Sequence, residues 1–283
     1  MAGGLIEPFT TPFAERALVE IAVLSIAGGL LGTWIVLRRL AFYTHAVGAA
    51  AFPGLVVAVP WGLPPQAAGL GASLLMALGL ERLTRTRRVA PDAGTGLLLV
   101  AALAVGVVLA SDVYGSGAGV DRLLFGSLLG ISWGDVVLGF ATAAAVVALS
   151  AAFLRPWLVG AFDPAGAGAL GTRTSTGDWV LLAAVAAAVV VSVDAVGALL
   201  TGALFVLPSA TVLLLAPSVR ALQVGSVALT LIEGVVGLWL AVRLDVPPGP
   251  VIALLGGTVF GLVVLVFGST GRRSGRPSVR TGQ

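Results

Sequence analysis

The chain has 283 residues, 58% of them hydrophobic and only 10% charged, with a mean hydropathy of +1.07 and a formal net charge of +3. A soluble domain carries about 25% charged residues, so this chain cannot clothe a water-facing surface, and its apolar runs leave no length for a separate soluble domain. Cysteine and lysine are both absent, which excludes disulfides, thiolate metal ligands, cysteine nucleophiles, Schiff-base lysines and the lysine of a Walker A phosphate loop.

In chain order, the apolar runs predict spans at about 17–37, 42–60, 65–82, 93–111, 134–154, 178–193, 195–216, 222–242 and 250–269. The expected fold is all-α: a polytopic membrane protein of eight or nine transmembrane helices. The count turns on 178–216, where no polar loop separates two apolar runs. That stretch reads either as a broken pair of helices or as one span with an extra half-helix. No basic segment followed by an apolar run and a small-residue cleavage site is present. The first span is therefore expected to serve as its own insertion signal.

Arginines cluster after the first span at Arg38 and Arg39, after the third at Arg82, Arg85, Arg87 and Arg88, and after the fifth at Arg155 and Arg173. Further along come Arg220 and the terminal Arg272, Arg273, Arg276 and Arg280. The alternate loops hold only Arg122 and Arg243, beside Asp112, Asp121 and Asp245. The positive-inside rule then predicts an external N-terminus and a cytoplasmic C-terminus. The basic balance reflects this topology and does not point to nucleic acid.

Two connections are more than turns. Residues 112–133 carry Gly115, Gly117 and Gly119, then FGSLLGIS, and read as an external loop with a short re-entrant helix. Such a segment needs protein around it to satisfy its backbone. Residues 155–177 form the longest internal connection, too polar and glycine-rich to span. Within it, Asp163 followed by Pro164 is a helix start signal. The expected division is a transmembrane domain over 1–271 and a disordered basic cytoplasmic tail over 272–283. Glycines such as Gly28, Gly29, Gly32, Gly197 and Gly202 permit close helix approach, which is a matter of packing.

Ionisable residues at bilayer depth are costly and are candidates for function. His45 lies about 9 Å along a helix from the cytoplasmic arginines, and Glu233 about 15 Å from the external face. Asp194 sits where two apolar runs join. One histidine and two carboxylates make a reasonable nitrogen and oxygen set for zinc or manganese, and these three are the candidate metal pathway. Each also has a plain structural reading: His45 bonded to a backbone carbonyl, Glu233 hydrogen-bonded or paired with an arginine, Asp194 capping a helix that begins at Ala195. Glu20, near the external end of the first span, is expected to snorkel or cap.

Four segments in series resemble the metal-transporting permease family of ABC importers, the ABC-3 family. They are GTWIVLRRLAF (Gly32 to Phe42) with the later Pro53–Gly54 pair, LFGSLLGISWGDV (Leu124 to Val136), FDPAGAGALG (Phe162 to Gly171), and VGALLTGALFVLPSAT (Val196 to Thr211) with LDVPPGPVIALLGG (Leu244 to Gly257). The resemblance covers roughly 17–270. It implies a type II importer permease in the bacterial plasma (inner) membrane, working as a homodimer with a separate ATP-binding cassette ATPase subunit and an extracellular solute-binding protein. It implies a divalent metal as substrate, zinc or manganese, with no stably bound cofactor and ATP used by the partner. It also implies that Phe162, Asp163, Pro164, Ala165, Gly166, Leu170 and Gly171 belong to the element that docks on the ATPase.

The chain departs from the family at one place. Members carry an Asp and, four residues on, a His on the second span, one helix face that can share an ion. The aligned segment here, YTHAVGAAAFPG, has His45 at the Asp position and Ala49 at the His position. Rival expectations are an ABC permease for a chelated metal or non-metal cargo, and an ion-coupled secondary transporter using Asp194 or Glu233. An intramembrane enzyme is the least expected of the rivals, since H-E-x-x-H and G-x-S-x-G are absent and a single histidine allows no familiar catalytic set.

Overall fold

The computed structural model describes residues 12–85, 91–114, 126–163, 165–167, 174–198 and 200–267. Among them run ten α-helices: α1 (Pro12–Leu37), α2 (Ala41–Trp61), α3 (Pro65–Arg85), α4 (Pro91–Tyr114), α5 (Trp133–Ala152), α6 (Leu154–Phe162), α7 (Thr174–Val196), α8 (Thr201–Leu213), α9 (Val219–Leu244) and α10 (Pro248–Phe267). Seven of them, α1, α2, α4, α5, α7, α9 and α10, are long and apolar enough to cross a bilayer, and α3 and α8 are shorter apolar helices. The nine expected apolar segments therefore all form helices. The basic tail, Arg87, Arg88, Arg122 and Arg173 lie outside the described residues.

The 178–216 region is a broken pair. α7 stops at Val196, Gly197 takes a left-handed φ of 96°, and the helix resumes at Thr201, whose hydroxyl donates to the Gly197 carbonyl at 2.7 Å. A glycine is suited to that bend because a Cβ is strained at positive φ. α8 has 13 residues, about 20 Å of helix against a hydrocarbon core of about 30 Å, so it covers part of the membrane only.

Elsewhere the ends are set by local chemistry. Arg39, at φ 57°, closes α1 with a left-handed residue, and Leu40 N–H reaches back to the Ile35 carbonyl at 2.7 Å, a Schellman-type end. Asp245, at φ 54°, ends α9 in the same way, with Val246 N–H on the Ala241 carbonyl. Ser132 and Asp135 form a reciprocal capping box at the start of α5.

α1 is the centre of the bundle. Its Leu31, Trp34 and Ile35 are fully buried, and it packs on α5, α8 and α9. Gly29 lets α1 approach the α9 backbone at Val227 so closely that a Cβ would sit 2.5 Å from it, which is the role read for the small residues of this span. A second core joins Phe52 and Leu55 of α2, Ala110 of α4, and Val190 and Val193 of α7. The outward faces of α4, α5 and α10 are apolar, with Val100, Val108, Phe140, Leu254 and Leu265 exposed. Apolar surface of that kind suits lipid rather than water.

Of the segment expected to re-enter, the described residues from Gly126 onward pack into the bundle. Ser127 N–H donates to the Asp194 carbonyl at 3.0 Å, Leu128–Gly130 forms a 3-10 turn, and Leu128 and Ile131 are buried. Buried hydroxyls follow the usual intramembrane pattern. Ser25, Thr33, Ser192 and Thr230 each donate to the carbonyl four residues back.

Candidate transport site and cytoplasmic coupling segment

His45 lies just over one turn into α2, and its imidazole rests against Gly202 in the first turn of α8. The next turn of α2 follows the same line: Gly48 faces the Ala198 carbonyl within the α7–α8 break. The histidine thus stands at the start of the half-helix. Four residues further on is Ala49, and Pro53 beyond it has no N–H to donate to the Ala49 carbonyl.

Asp194 is not a helix cap. It lies in the last turn of α7, which continues to Val196, and no helix begins at Ala195. Its Oδ2 accepts a hydrogen bond from Gln66 Nε2 of α3 at 3.0 Å, while its carbonyl takes the Ser127 amide. It therefore pins α3 and the re-entrant segment to the end of α7.

Glu233 is buried in α9 with Gly256 of α10 against its Oε2, and its Oε1 has no hydrogen-bond partner. The three candidates occupy three separate helix contacts. Among the described residues no cluster of three or more His, Asp or Glu side chains is arranged to hold a metal ion.

Glu20 corrects the expectation made for it. Instead of reaching an interface it is 1% exposed, turned onto Gly139 of α5, with Oε2 unpartnered. Asp135 and Asp194 lie within electrostatic range of it. The sequence signal was its position on an apolar run; what it packs against was not legible there.

At the end of the bundle that carries Arg38 and Arg155, expected to be cytoplasmic, α5 bends at Phe153 into the short helix α6. Trp157 of α6 is fully buried, edge-on to Trp34 of α1 at 5.4 Å and stacked on Phe153 at 6.2 Å, and its Nε1 donates to the Gly177 carbonyl of α7 at 2.8 Å. Arg38, just past α1, pairs with Asp178 of α7. Phe162, the last residue of α6, is exposed; beyond it Asp163 Oδ1 accepts the Gly166 N–H at 2.9 Å, and Ala165–Ala167 form a turn with Ala167 buried. Asp163, expected to start a helix, is followed among the described residues by a turn only, because its carboxylate holds the Gly166 amide. Pro164, Leu170 and Gly171 lie outside the described residues.

A helical bundle with seven helices long and apolar enough to cross a bilayer, and a shorter half-helix at its core, is the architecture of a polytopic membrane protein. It has no lysine with which to form a Walker A loop of its own. The family model of the ABC 3 transport family matches residues 10–267, and the chain belongs to that family. It is a multi-pass protein of the bacterial plasma membrane and a transport component, not an enzyme. The reading as an ion-coupled secondary transporter is set aside by that membership.

The manganese transport system membrane protein MntC of Halalkalibacterium halodurans is 28% identical over 250 residues, 88% of this chain and 86% of the relative. The chelated iron transport system membrane protein YfeD of Yersinia pestis is 25% identical over 261 residues, 92% of this chain and 87% of that one. Among solved structures, PsaBC from Streptococcus pneumoniae in complex with Fab matches at a TM-score of 0.86 and 24% identity, over 93% of this chain and 95% of that one. That likeness is one of fold.

Proposed function

We propose that this chain is the membrane-spanning permease of an importer for divalent metal ions, zinc or manganese. In this reading two copies enclose the pathway, an ATP-binding cassette ATPase drives them, and an extracellular solute-binding protein delivers the ion. The observation that carries it is the similarity to manganese transport membrane proteins along nearly the whole chain: MntC of Listeria monocytogenes, for example, aligns over 89% of this chain and 90% of its own length.

The chemistry of the candidate site supports the assignment. His45 offers a nitrogen at the start of α8, and the Ala49 carbonyl, which Pro53 cannot engage, offers an oxygen where the resembled family has its histidine. A single copy gathers no full ligand set among its described residues, so ligands from two copies would complete the site. Asp194 and Glu233 are the further candidates for the path. The Phe162–Gly171 element is the proposed contact with the ATPase. Directional transport then needs two conformations that expose the ion to opposite sides with different affinity.

A second reading, import of a chelated metal, is favoured by the exchange of Asp for His45 and of His for Ala49 together with the similarity to YfeD. The test is uptake of manganese, zinc and chelated iron by the full complex, with the intact chain compared with His45→Ala, Asp194→Ala and Glu233→Ala. ATP-dependent uptake of a bare ion, lost in His45→Ala protein that still assembles, supports the first reading. ATP turnover with no uptake of either bare ion refutes it.

A further inference from the structure

The geometry points to the Arg38–Asp178 ion pair as the positioning link that carries movement of the cytoplasmic elbow into α1 and α7, and so to the α7–α8 break beside His45. The inference rests on the proposed role of the Phe162–Gly171 element as the ATPase contact, and names the residues that would transmit its motion.

Arg38 is placed to tie three elements together. It follows α1 directly, its Nη2 bonds Asp178 Oδ1 near the start of α7, and its guanidinium lies against Gly160 of α6. A side chain at Gly160 would collide with that guanidinium. The pair is half-sheltered, with Arg38 15% and Asp178 40% exposed, so solvent screens it less than an open surface pair. Trp157 reinforces the same junction, touching Trp34 of α1 and hydrogen-bonding the Gly177 carbonyl, one residue before Asp178. The elbow therefore cannot shift without loading both helices.

Both helices run from this junction to the candidate site. α7 ends at Val196, where Gly197 bends the chain and Ala198 faces Gly48 of α2, one turn from His45. α1 bears directly on α8, with the position of a Cβ at Gly32 occupied by the Phe205 carbonyl and Ser209. A rigid helix transmits an axial push with little loss, while a break with a glycine at positive φ is where it is taken up. Arg39, by contrast, is exposed, which makes it the internal control.

The test reconstitutes the permease with its ATPase and binding protein in vesicles and measures manganese(II) uptake per ATP hydrolysed. Arg38→Gln and Asp178→Asn are expected to keep ATP hydrolysis but to lower uptake per ATP by about five-fold or more, the lower end of what a coupling interaction supplies. Arg39→Gln should leave the ratio unchanged. The reversed pair, Arg38→Asp with Asp178→Arg, should recover part of it. An unchanged ratio in the single variants overturns the inference, as does a proportional fall of uptake and hydrolysis, or failure of both singles and the reversed pair to assemble.

A cargo-independent reading separates this from the metal assignment. The chain has no cysteine, so an Ala203→Cys variant accepts one fluorophore in the first turn of α8. ATP should change its emission with Arg38 in place and leave it unchanged in Arg38→Gln. If the intact complex imports no manganese but shows the signal and its loss, the link stands and the metal reading fails. No signal with Arg38 in place overturns the link and the coupling role together.

Discussion

The imidazole of His45 on α2 lies directly against Gly202 in the first turn of α8, and any side chain added there would overlap Nδ1. One residue's lack of a Cβ thus decides where the chain's single histidine can stand. Gly202→Val should displace the ring and overpack the contact, at a cost of about 1–3 kcal/mol. The expected result is a lowered Tm in detergent with metal uptake abolished, and an intermediate loss for Gly202→Ala, measured by thermal unfolding alongside vesicle uptake.

Glu233 offers a different separation. A carboxylate deep in a span is unfavourable by up to about 3 kcal/mol on insertion scales, and here one oxygen has no partner. Glu233→Gln keeps the shape and removes the acid. Its Tm should equal or exceed that of the intact chain, while uptake falls at least several-fold because the pathway loses a carboxylate. Retained uptake in the stable variant would assign Glu233 to packing alone.

Trp157 should be the most sensitive position in the cytoplasmic elbow. Trp157→Ala removes the edge contact with Trp34 and the stack with Phe153, and is expected to cost about 3–5 kcal/mol. Trp157→Phe retains much of the apolar contact but loses the hydrogen bond to the Gly177 carbonyl, about 1 kcal/mol. Thermal denaturation of both variants checks the ratio.

Asp163 holds the turn after α6 through one bond to the Gly166 amide. Asp163→Ala should weaken that local turn by about 1 kcal/mol, as loss of a comparable cap does, with little effect on the Tm of the bundle. Retention of the ATPase during purification is the sensitive readout, and it should drop.

Much of this fold was legible because lipid enforces a simple code. Long apolar runs between arginine clusters read as membrane helices, and the nine runs found that way account for nine of the ten α-helices described; the short α6, inside a stretch read as a connection, was not legible. The bend at Gly197 was marked by the missing polar loop between two apolar runs. Partners were not legible. Asp194 looked like the first residue of a helix because the apolar runs meet there, yet it closes the preceding one and takes its bond from Gln66, 128 residues away in sequence. Glu20 looked interfacial from its place on the span, but Gly139 of α5 gives it room inside. Contacts of this kind are settled by which helix lies alongside, and no local pattern records that. Arg38 appeared only as a topology marker, although the aspartate that completes its pair stands in the same cytoplasmic region.

The amide of Ser127 bonded to the carbonyl of Asp194 has a consequence for anyone who would retarget this protein. The stretch that follows the external loop is stitched, backbone to backbone, to the floor of the candidate pathway. Grafts cut before Gly126 leave that bond native, whereas grafts running through Ile131 replace the residues that make it.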